Sequence, residues 1–455
     1  MKRSPLLGSE LRAISGLSTL YAIRMLGLFM ILPVLTLYSE YLAHATPVLI
    51  GLALGAYGLT QALLQVPFGM LSDRIGRKSV IAFGLLLLLI GSVIAANATS
   101  IYGVILGRCL QGSGAVSGVI MALLADRTRE EVRTSAMAVI GMSIGVSIGA
   151  SMVIGPVLAH RFGLAGVFWS TALMAVLGML VLWRLIPKAP ERSHKDVGMD
   201  MHQLRNILAR TDLLRLDLSI FALHAILTAL FVVLPLKLIA LGIASESHGW
   251  VYLPIMASAF VAMTPLIIIA EKRRKMRPIF IGTVVLLVPV LSGMFALPDH
   301  SRGLIALLWL FFVAFNLLEA TLPSMVSKLA PAGGKGTALS LYSTSQFLGT
   351  TVGGSVGGLV AGAFGTDAIF LFAALVALGW LGCIWGMPSP RYLSSEIVPL
   401  GQQRGDTQQL LERLLAIRGV ADAMIVKEEG VAYLKVDRDH FDAESLEAAL
   451  RPTAA

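Results

Sequence analysis

Long apolar stretches fill most of this chain, and short polar turns separate them. A run of about 20 apolar residues is enough to cross roughly 30 Å of hydrocarbon. Twelve such stretches can be marked, at about 12–39, 47–71, 79–97, 101–125, 136–160 and 163–187, then 213–241, 247–270, 278–297, 303–329, 337–364 and 366–388. Inside lipid, backbone N–H and C=O groups have no water to bond, so spans of this length are expected to be helices. From about Pro390 the long apolar runs end and charge rises.

Composition agrees with the pattern. The 455 residues are 56% hydrophobic and only 14% charged, with a mean hydropathy of +0.79. A soluble domain carries about 25% charged residues, so most of this surface must face lipid. The net charge of +9 admits a nucleic-acid partner in principle, but the basic residues are sorted by side. Arg74, Arg77, Lys78, Arg127, Arg129, Arg133, Lys188, Arg192, Lys195, Arg205, Arg210, Lys272, Arg273, Arg274, Lys275 and Arg277 follow the even-numbered spans, whereas the opposite turns hold essentially Arg161 and Arg302. The positive-inside rule then places both termini in the cytoplasm and makes a nucleic-acid role unnecessary. The start, "MKRSPLLGSELRAISG", reads as a cytoplasmic tail leading into an uncleaved first span. Cys109 and Cys383 lie inside apolar segments and support neither a disulfide framework nor a metal site. No nucleotide-binding, kinase or peptidase motif is present, so neither an enzyme nor a cofactor is expected.

The two halves resemble each other. "PFGMLSDRIGRKSV" from Pro67 aligns with "PLIIIAEKRRKMRP" from Pro265 at an offset of 198, which puts Asp73 on Glu271, Arg74 on Lys272 and Arg77 on Lys275. "VIGPVLAHRFG" from Val153 aligns with "VGGLVAGAFG" from Val356, with Phe162-Gly163 on Phe364-Gly365. Two matches at nearly equal offsets in equivalent spans argue for a six-plus-six repeat. Such repeats place a substrate site near the membrane midplane, between bundles that rock against each other.

The turn "GMLSDRIGRKSV" carries more than loop basicity. Gly69 on span 2 is expected to admit a neighbouring backbone, and Gly76 suits a turn needing positive φ. Asp73 at a helix C-terminus opposes its own dipole, so a helix N-terminus in the other bundle, or Arg77, is its expected partner. These residues resemble the loop motif G-x-L-a-D-r-x-G-r-k-x-x-l of the major facilitator superfamily. "LGLFMILPVL" (Leu26 to Leu35) resembles the l-g-x5-P-v-x-P pattern of the twelve-span drug/proton antiporter branch, with Thr36 at the place of its final proline. "LGRCLQGSGAV" resembles the span-4 R-x-x-q-G motif through Arg108, Gln111 and Gly112. "SMVIGPVLAH" resembles the antiporter motif g-x-x-x-G-P-x-x-G-G through Gly155 and Pro156, with Ser151, Ala159 and His160 where the branch has glycines. With its tail, the whole chain is similar to YajR-type transporters. The resemblance implies that Gly69, Asp73, Arg74, Gly76, Arg77, Lys78 and Asp126 form a cytoplasmic latch across spans 2, 4 and 11 that stabilises an outward-open state. It also links Arg108 to proton coupling.

Ionisable residues inside a span cost about 2.5–3.5 kcal/mol on insertion scales and are functional by default. Glu319 reads as the only carboxylate well inside a span and as the leading proton carrier, with a buried ion pair as its alternative. His224 is the second candidate for proton coupling, since histidine is the side chain whose ordinary range spans neutral pH, but it stands alone in sequence. Arg24 faces an anionic substrate group or a partner helix. Tyr57, Gln61 and Gln65 recur at i, i+4 and i+8 on one face, and with Arg24 and Asn316 they are the expected cavity lining.

Residues 1–187 and 213–388 are therefore expected to be six-helix bundles of an all-α membrane fold, joined by a cytoplasmic linker at 188–212. Its piece "MHQLRNILAR" places Met201, Leu204, Ile207 and Leu208 on a membrane surface or against the bundle. In the tail, 390–455, "YLSSEIVPL" reads as a strand, "TQQLLERLLAIRG" as an amphipathic helix, "ADAMIVKEEGVAYLKVD" as two strands and "AESLEAALR" as a helix. This βαββα order resembles a small α+β ferredoxin-like module, without the cysteines a metal-binding version needs. The expected function is secondary transport by alternating access in a cell inner membrane, by proton-coupled efflux of small or drug-like compounds. The alternatives are a proton-coupled metabolite symporter and a membrane sensor signalling through the tail. Its expected partners are a small-molecule substrate, protons and the lipid bilayer, acting on a monomer.

Overall fold

The computed structural model describes residues 7–128, 130–186, 201–297, 300–331, 334–388, 394–400, 407–426, 431–437, 440–442 and 445–446. Helices α1 (Gly8–Phe29), α2 (Leu35–Tyr38), α3 (Pro47–Ile75), α4 (Arg77–Ala96), α5 (Ile101–Ser113), α6 (Ser117–Arg127) and α7 (Glu130–Arg184) build the first half. After α8 (Met201–Leu208), helices α9 (Thr211–Ala240), α10 (His248–Lys272), α11 (Met276–Ala296), α12 (Ser301–Leu329), α13 (Lys335–Phe364) and α14 (Ala368–Ile384) build the second.

Among the described residues, nine helices are long and apolar enough to cross a membrane. One of them, Val139–Arg184, has 46 residues and turns back at Gly163, where φ is 66°, so it supplies spans 5 and 6. The other two spans are α1, whose Arg12 and Arg24 lower its hydropathy, and the shorter α14. All twelve expected spans are thus accounted for. Two depart from their expected course. Span 1 ends its helix at Phe29 and reaches Tyr38 only through a turn around Pro33 and the short α2, because proline supplies no N–H to continue the ladder. Span 4 breaks between Ser113 and Ser117, where the backbone of Gly114 lies directly against the Gly84 carbonyl.

The internal repeat holds at the level of backbone shape. Gly163 and Gly365, aligned in sequence, both take positive φ at the turn between paired spans (66° and 87°). The same offset of 198 that aligns Asp73 with Glu271 puts Gly76 on Arg274, and both adopt positive φ (93° and 53°). A side chain in that region is strained by roughly 1–2 kcal/mol. The second half therefore keeps the turn of the first even where glycine has been replaced.

The halves meet along α3 and α13. A Cβ at Gly51 would collide with the Gly354 carbonyl, one at Gly58 with the Phe347 carbonyl, and one at Gly55 would lie 2.7 Å from the Thr351 carbonyl. Thr351 Oγ1 also donates to the Gly55 carbonyl at 3.2 Å. Small residues allow this approach, which maximises dispersion contact where lipid gives no hydrophobic drive to association. These contacts lie in the half of the bundle away from the basic turns, so that far mouth is shut. His160 and Glu246, 3.8 Å apart, and Thr36 Oγ1 donating to the Phe231 carbonyl at 3.4 Å close it further. Large apolar side chains such as Leu63, Val146, Trp183, Val261 and Phe364 are exposed around the perimeter, where lipid covers them.

The tail forms strands β1 (Ser394–Pro399), β2 (Val420–Val426) and β3 (Val431–Val436), with α15 (Thr407–Ala416) between the first two. The antiparallel order β1-β3-β2 is that of a ferredoxin-like split βαβ unit. Val398, Leu414, Ile417, Ala432, Leu434 and Val436 form its separate core. Strand alternation turns Lys435 away from that core, and its Nζ donates to the Ser327 and Lys328 carbonyls at 3.3 and 3.2 Å. A lysine on the last carbonyls of α12 satisfies orphan acceptors and complements the helix dipole. Most of the expected closing helix at 443–451, and linker residues 187–200 with Lys188, Arg192 and Lys195, lie outside the described residues. Within α8 the Ile207 side chain is buried, which puts that face against protein.

Replacing Gly51 with Val is expected to hold the far mouth open without unfolding either half. With Cys109 and Cys383 changed to Ser, cross-linking between Val48→Cys and Gly362→Cys should fall at least fivefold, while the detergent-purified protein elutes unchanged. Undiminished cross-linking would show that the close approach is dispensable.

Candidate functional site

Three polar clusters stand inside or at the edge of the bundle. The first is the charged turn. Arg77, the first residue of α4, donates from Nε to Asp126 Oδ2 at 2.7 Å and from Nη1 to Ser72 Oγ at 3.0 Å, and lies 2.9 Å from Asp73 Oδ1. Gly76 makes this possible, because its positive φ turns α4 sharply off α3. The arginine fork then ties the ends of α3, α4 and α6 together, at a site where only about a tenth of each of the Arg77 and Asp126 side chains is exposed. Partial burial beside this cluster holds the Arg127 guanidinium below its usual pKa, with Asp126 opposing the shift.

Parts of the expected latch fall elsewhere. Arg74 is exposed and takes no part in the cluster. Lys78 Nζ donates to the Ile186 carbonyl at the end of α7. A Cβ at Gly69 would meet nothing within 4 Å, so the close approach expected there is absent and that face of α3 is open. Asp73 takes Arg77 as its partner, and the described side chains of α13 are not among its contacts. The equivalent turn of the second half makes the mirror-image bond. Glu271 accepts from Lys328 Nζ at 2.7 Å and from Ser324 Oγ at 3.0 Å, and Ser324 occupies the repeat position of Asp126.

The second cluster is cationic and belongs to the first half. Arg24 of α1 is 1% exposed; its Nη2 donates to Tyr57 Oη at 3.1 Å and to Gln61 Oε1 at 2.9 Å, and Gln61 Nε2 donates to Ser117 Oγ at 3.2 Å. Arg108 of α5, fully buried, lies 4.9 Å above the Tyr57 ring. It donates to Gln111 Oε1 at 3.0 Å, and Gln111 to Ser92 Oγ at 2.8 Å. Gly112 lets α5 approach, since a Cβ there would collide with the Tyr57 carbonyl. Two guanidinium groups thus bracket one tyrosine. No described carboxylate contacts either of them, and Arg24 Nε and Nη1 and Arg108 Nη2 have no partner. Gln65, the third residue of the expected stripe, points instead to the second half, donating to the Ser340 carbonyl at 3.2 Å. Gly155 packs α7 on the Met30 carbonyl, with Pro156 inside the helix.

The third cluster carries the titratable groups. His224 Nε2 of α9 lies 3.0 Å from Glu319 Oε2 of α12 and 2.8 Å from Gln346 Nε2 of α13, and Gln346 Nε2 donates to Glu319 Oε1 at 3.2 Å. Phe315 and, from the first half, Phe29 stand against the imidazole at centroid distances of 5.8 and 6.1 Å. Chemically the triad can hold one proton on either Glu319 or His224 and shield it from water. Asn316, buried one turn away, has no partner for its amide nitrogen. Among the described residues no cluster of metal-ligating side chains occurs.

Glu319 is not the only deep carboxylate. Asp217 of α9 is 7% exposed, with Oδ2 unpartnered. It was missed because it lies near the start of a span, where acids belonging to the adjoining turn are common. Gln346 was missed because a glutamine on a glycine-rich helix carries no signal until α9 and α12 are packed beside it.

Comparisons with known proteins fit this architecture. Residues 17–348 match the Major Facilitator Superfamily and residues 398–451 match the YajR YAM domain. The chain is 44% identical over 443 residues to the inner membrane transport protein YajR of Escherichia coli (strain K12), covering 97% of this chain and 98% of that one. It is 25% identical over 368 residues to the multidrug resistance protein MdtH of Aeromonas hydrophila, covering 78% of this chain and 87% of that one. A bacterial homologue of the human lysosomal transporter Spinster, solved in an inward-facing and occupied conformation, superposes with a TM-score of 0.69 at 13% identity, covering 84% of this chain and 97% of that one.

The Arg77 tie should be measurable as stability. In detergent, a double-mutant cycle on Arg77→Ala and Asp126→Ala is expected to give a coupling of about 1–3 kcal/mol, as for charge-assisted hydrogen bonds of limited exposure. Arg77→Lys should recover only part of it, because an ammonium cannot span Asp126 and Ser72 together. Additive single mutants would show the contact to be energetically idle.

Proposed function

The chain belongs to the major facilitator superfamily, and on that footing we propose that it is a proton-coupled exporter of small, drug-like compounds. In this reading it lies in the inner membrane with both termini cytoplasmic and works by alternating access. Its membership and the apolar helices make it a multi-pass membrane transporter with a small-molecule substrate. The His224–Glu319–Gln346 triad carries the finer proposal. It is buried at mid-depth, it joins three helices of one half, and Phe29 of the other half rests on its imidazole. The antiporter-like motif at Gly155-Pro156 and the multidrug resistance relative favour export over uptake.

The coupling follows from electrostatics. With its proton, the triad is neutral and can be enclosed when the halves close over it. Without it, the Glu319 carboxylate needs charge or water, and its enclosure becomes unfavourable. Proton occupancy therefore biases which mouth is shut. Arg77 and its counterpart Lys328 hold the cytoplasmic helix ends as rigid units, so that the tilt is passed on rather than absorbed. Arg24, Tyr57, Gln61 and Asn316 line the substrate side, with Arg108 fixing the Tyr57 ring.

Proteoliposomes with an imposed pH gradient, a trapped pH dye and ethidium as the drug-like probe test this reading. Ethidium-linked proton flux is expected in the native chain and should fall at least tenfold in Glu319→Gln. His224→Gln should slow it less, because Glu319 still takes the proton. Unchanged flux in Glu319→Gln would remove that residue as the carrier.

A further inference from the structure

Asp217 and Tyr342 belong to none of the three clusters, yet they share their helix faces with the triad. On α9, Asp217 lies seven residues before His224, and on α13, Tyr342 lies four before Gln346; both spacings return to the same face of a helix. The two helices are held side by side by close approach, since a Cβ at Gly349 or Gly353 would collide with the Phe221 or Ala225 carbonyl. By helical rise, Asp217 and Tyr342 stand roughly 6–10 Å nearer the basic turns than the triad. Three buried polar atoms along this line have no partner: His224 Nδ1, Tyr342 Oη and Asp217 Oδ2. Tyr342 also lies within electrostatic range of both Glu319 and Asp217.

No described cation compensates Asp217. Arg215 on its own helix donates to the Gly386 carbonyl, Arg205 of α8 is exposed, Lys328 of α12 is engaged by Glu271, and Lys237 pairs with Asp367 at the other end of α9. Trp380 of α14 donates to Ser219 and offers no charge. A carboxylate buried without a partner is unfavourable while ionised, and a structural role would have supplied it with a donor.

We infer that Asp217 is a second proton-binding site, exchanging protons with Glu319 through the Tyr342 hydroxyl and opening to water at the basic end. The inference rests on the proton-coupled reading above. Tyr342 Oη has no hydrogen-bond partner in this structure, so the transfer belongs to an arrangement in which the hydroxyl turns to bridge both carboxyls: Glu319 then gives one proton to the phenol oxygen as the phenol gives its own to the Asp217 carboxylate. The tyrosine is neutral before and after, and no electron changes place. Two stations in series separate the proton's entry to the triad from its exit, so that one can be shut while the other is open.

Infrared difference spectroscopy of the full chain in lipid, titrated from pH 5 to pH 9 without substrate, reads each carboxyl by its protonated C=O stretch. Two titrating bands are expected, one lost in Glu319→Gln and the other in Asp217→Asn, with Tyr342→Phe shifting the second. After a pH jump on proteoliposomes, Tyr342→Phe should slow proton release at least tenfold. A titrating band set unchanged by Asp217→Asn overturns the second site, even when the Glu319 band behaves as expected. A set unchanged by Glu319→Gln alone removes the carrier of the preceding reading instead. Native release rates in Tyr342→Phe overturn the relay.

Discussion

The scarcity of water inside the bundle governs the rest of this structure. Each ionisable group enclosed there must find its hydrogen bonds in protein, or take or lose a proton. Around the centre of the bundle the chain meets that demand with cations in the first half and acids in the second, while Glu10 and Lys237 are buried towards the ends of their helices. The first half encloses cations, Arg24 and Arg108, and satisfies them in part with neutral acceptors: Tyr57, Gln61, Gln111 and the Ala53 carbonyl. The second half encloses the acids, Glu319 and Asp217, beside His224, Gln346 and Tyr342. Arg24 and Arg108 have no described carboxylate against them, whereas Glu319 has His224 beside it at 3.0 Å.

Alternating access as proposed needs smooth helices between the halves, which the glycines of α3 and α13 provide. It also needs rigid bodies. At the basic end Arg77 joins three helix ends in the first half, and Glu271 with Lys328 and Ser324 makes the inverted bond in the second. The tail reaches the same place, since Lys435 sits on the carbonyls of Ser327 and Lys328, the latter being Glu271's partner. The tail is thereby attached to the second half, on the helix that binds Glu271.

Much of this was legible in the sequence because the signals are local or periodic. Span number, the six-plus-six repeat, the turn at Gly76 and the succession of strands and helix along the tail follow from hydropathy, offsets and turn chemistry. Tyr57 and Gln61 were placed on one face by spacing alone. What escaped depends on which helices become neighbours. Gln346 gains meaning only beside His224, and Gly69 was assigned a packing role that the geometry leaves empty because no helix passes there. Asp217 was hidden by its place near a span's start, although only 7% of it is exposed.

In the proposed mechanism a proton on Glu319 decides which mouth is shut. Electron-electron distance measurements between spin labels placed across the far mouth, in lipid nanodiscs at high and low pH, address it directly. The native distance distribution is expected to shift with pH, and Glu319→Gln to show the low-pH distribution at every pH. An equal pH-dependent shift in Glu319→Gln would contradict it.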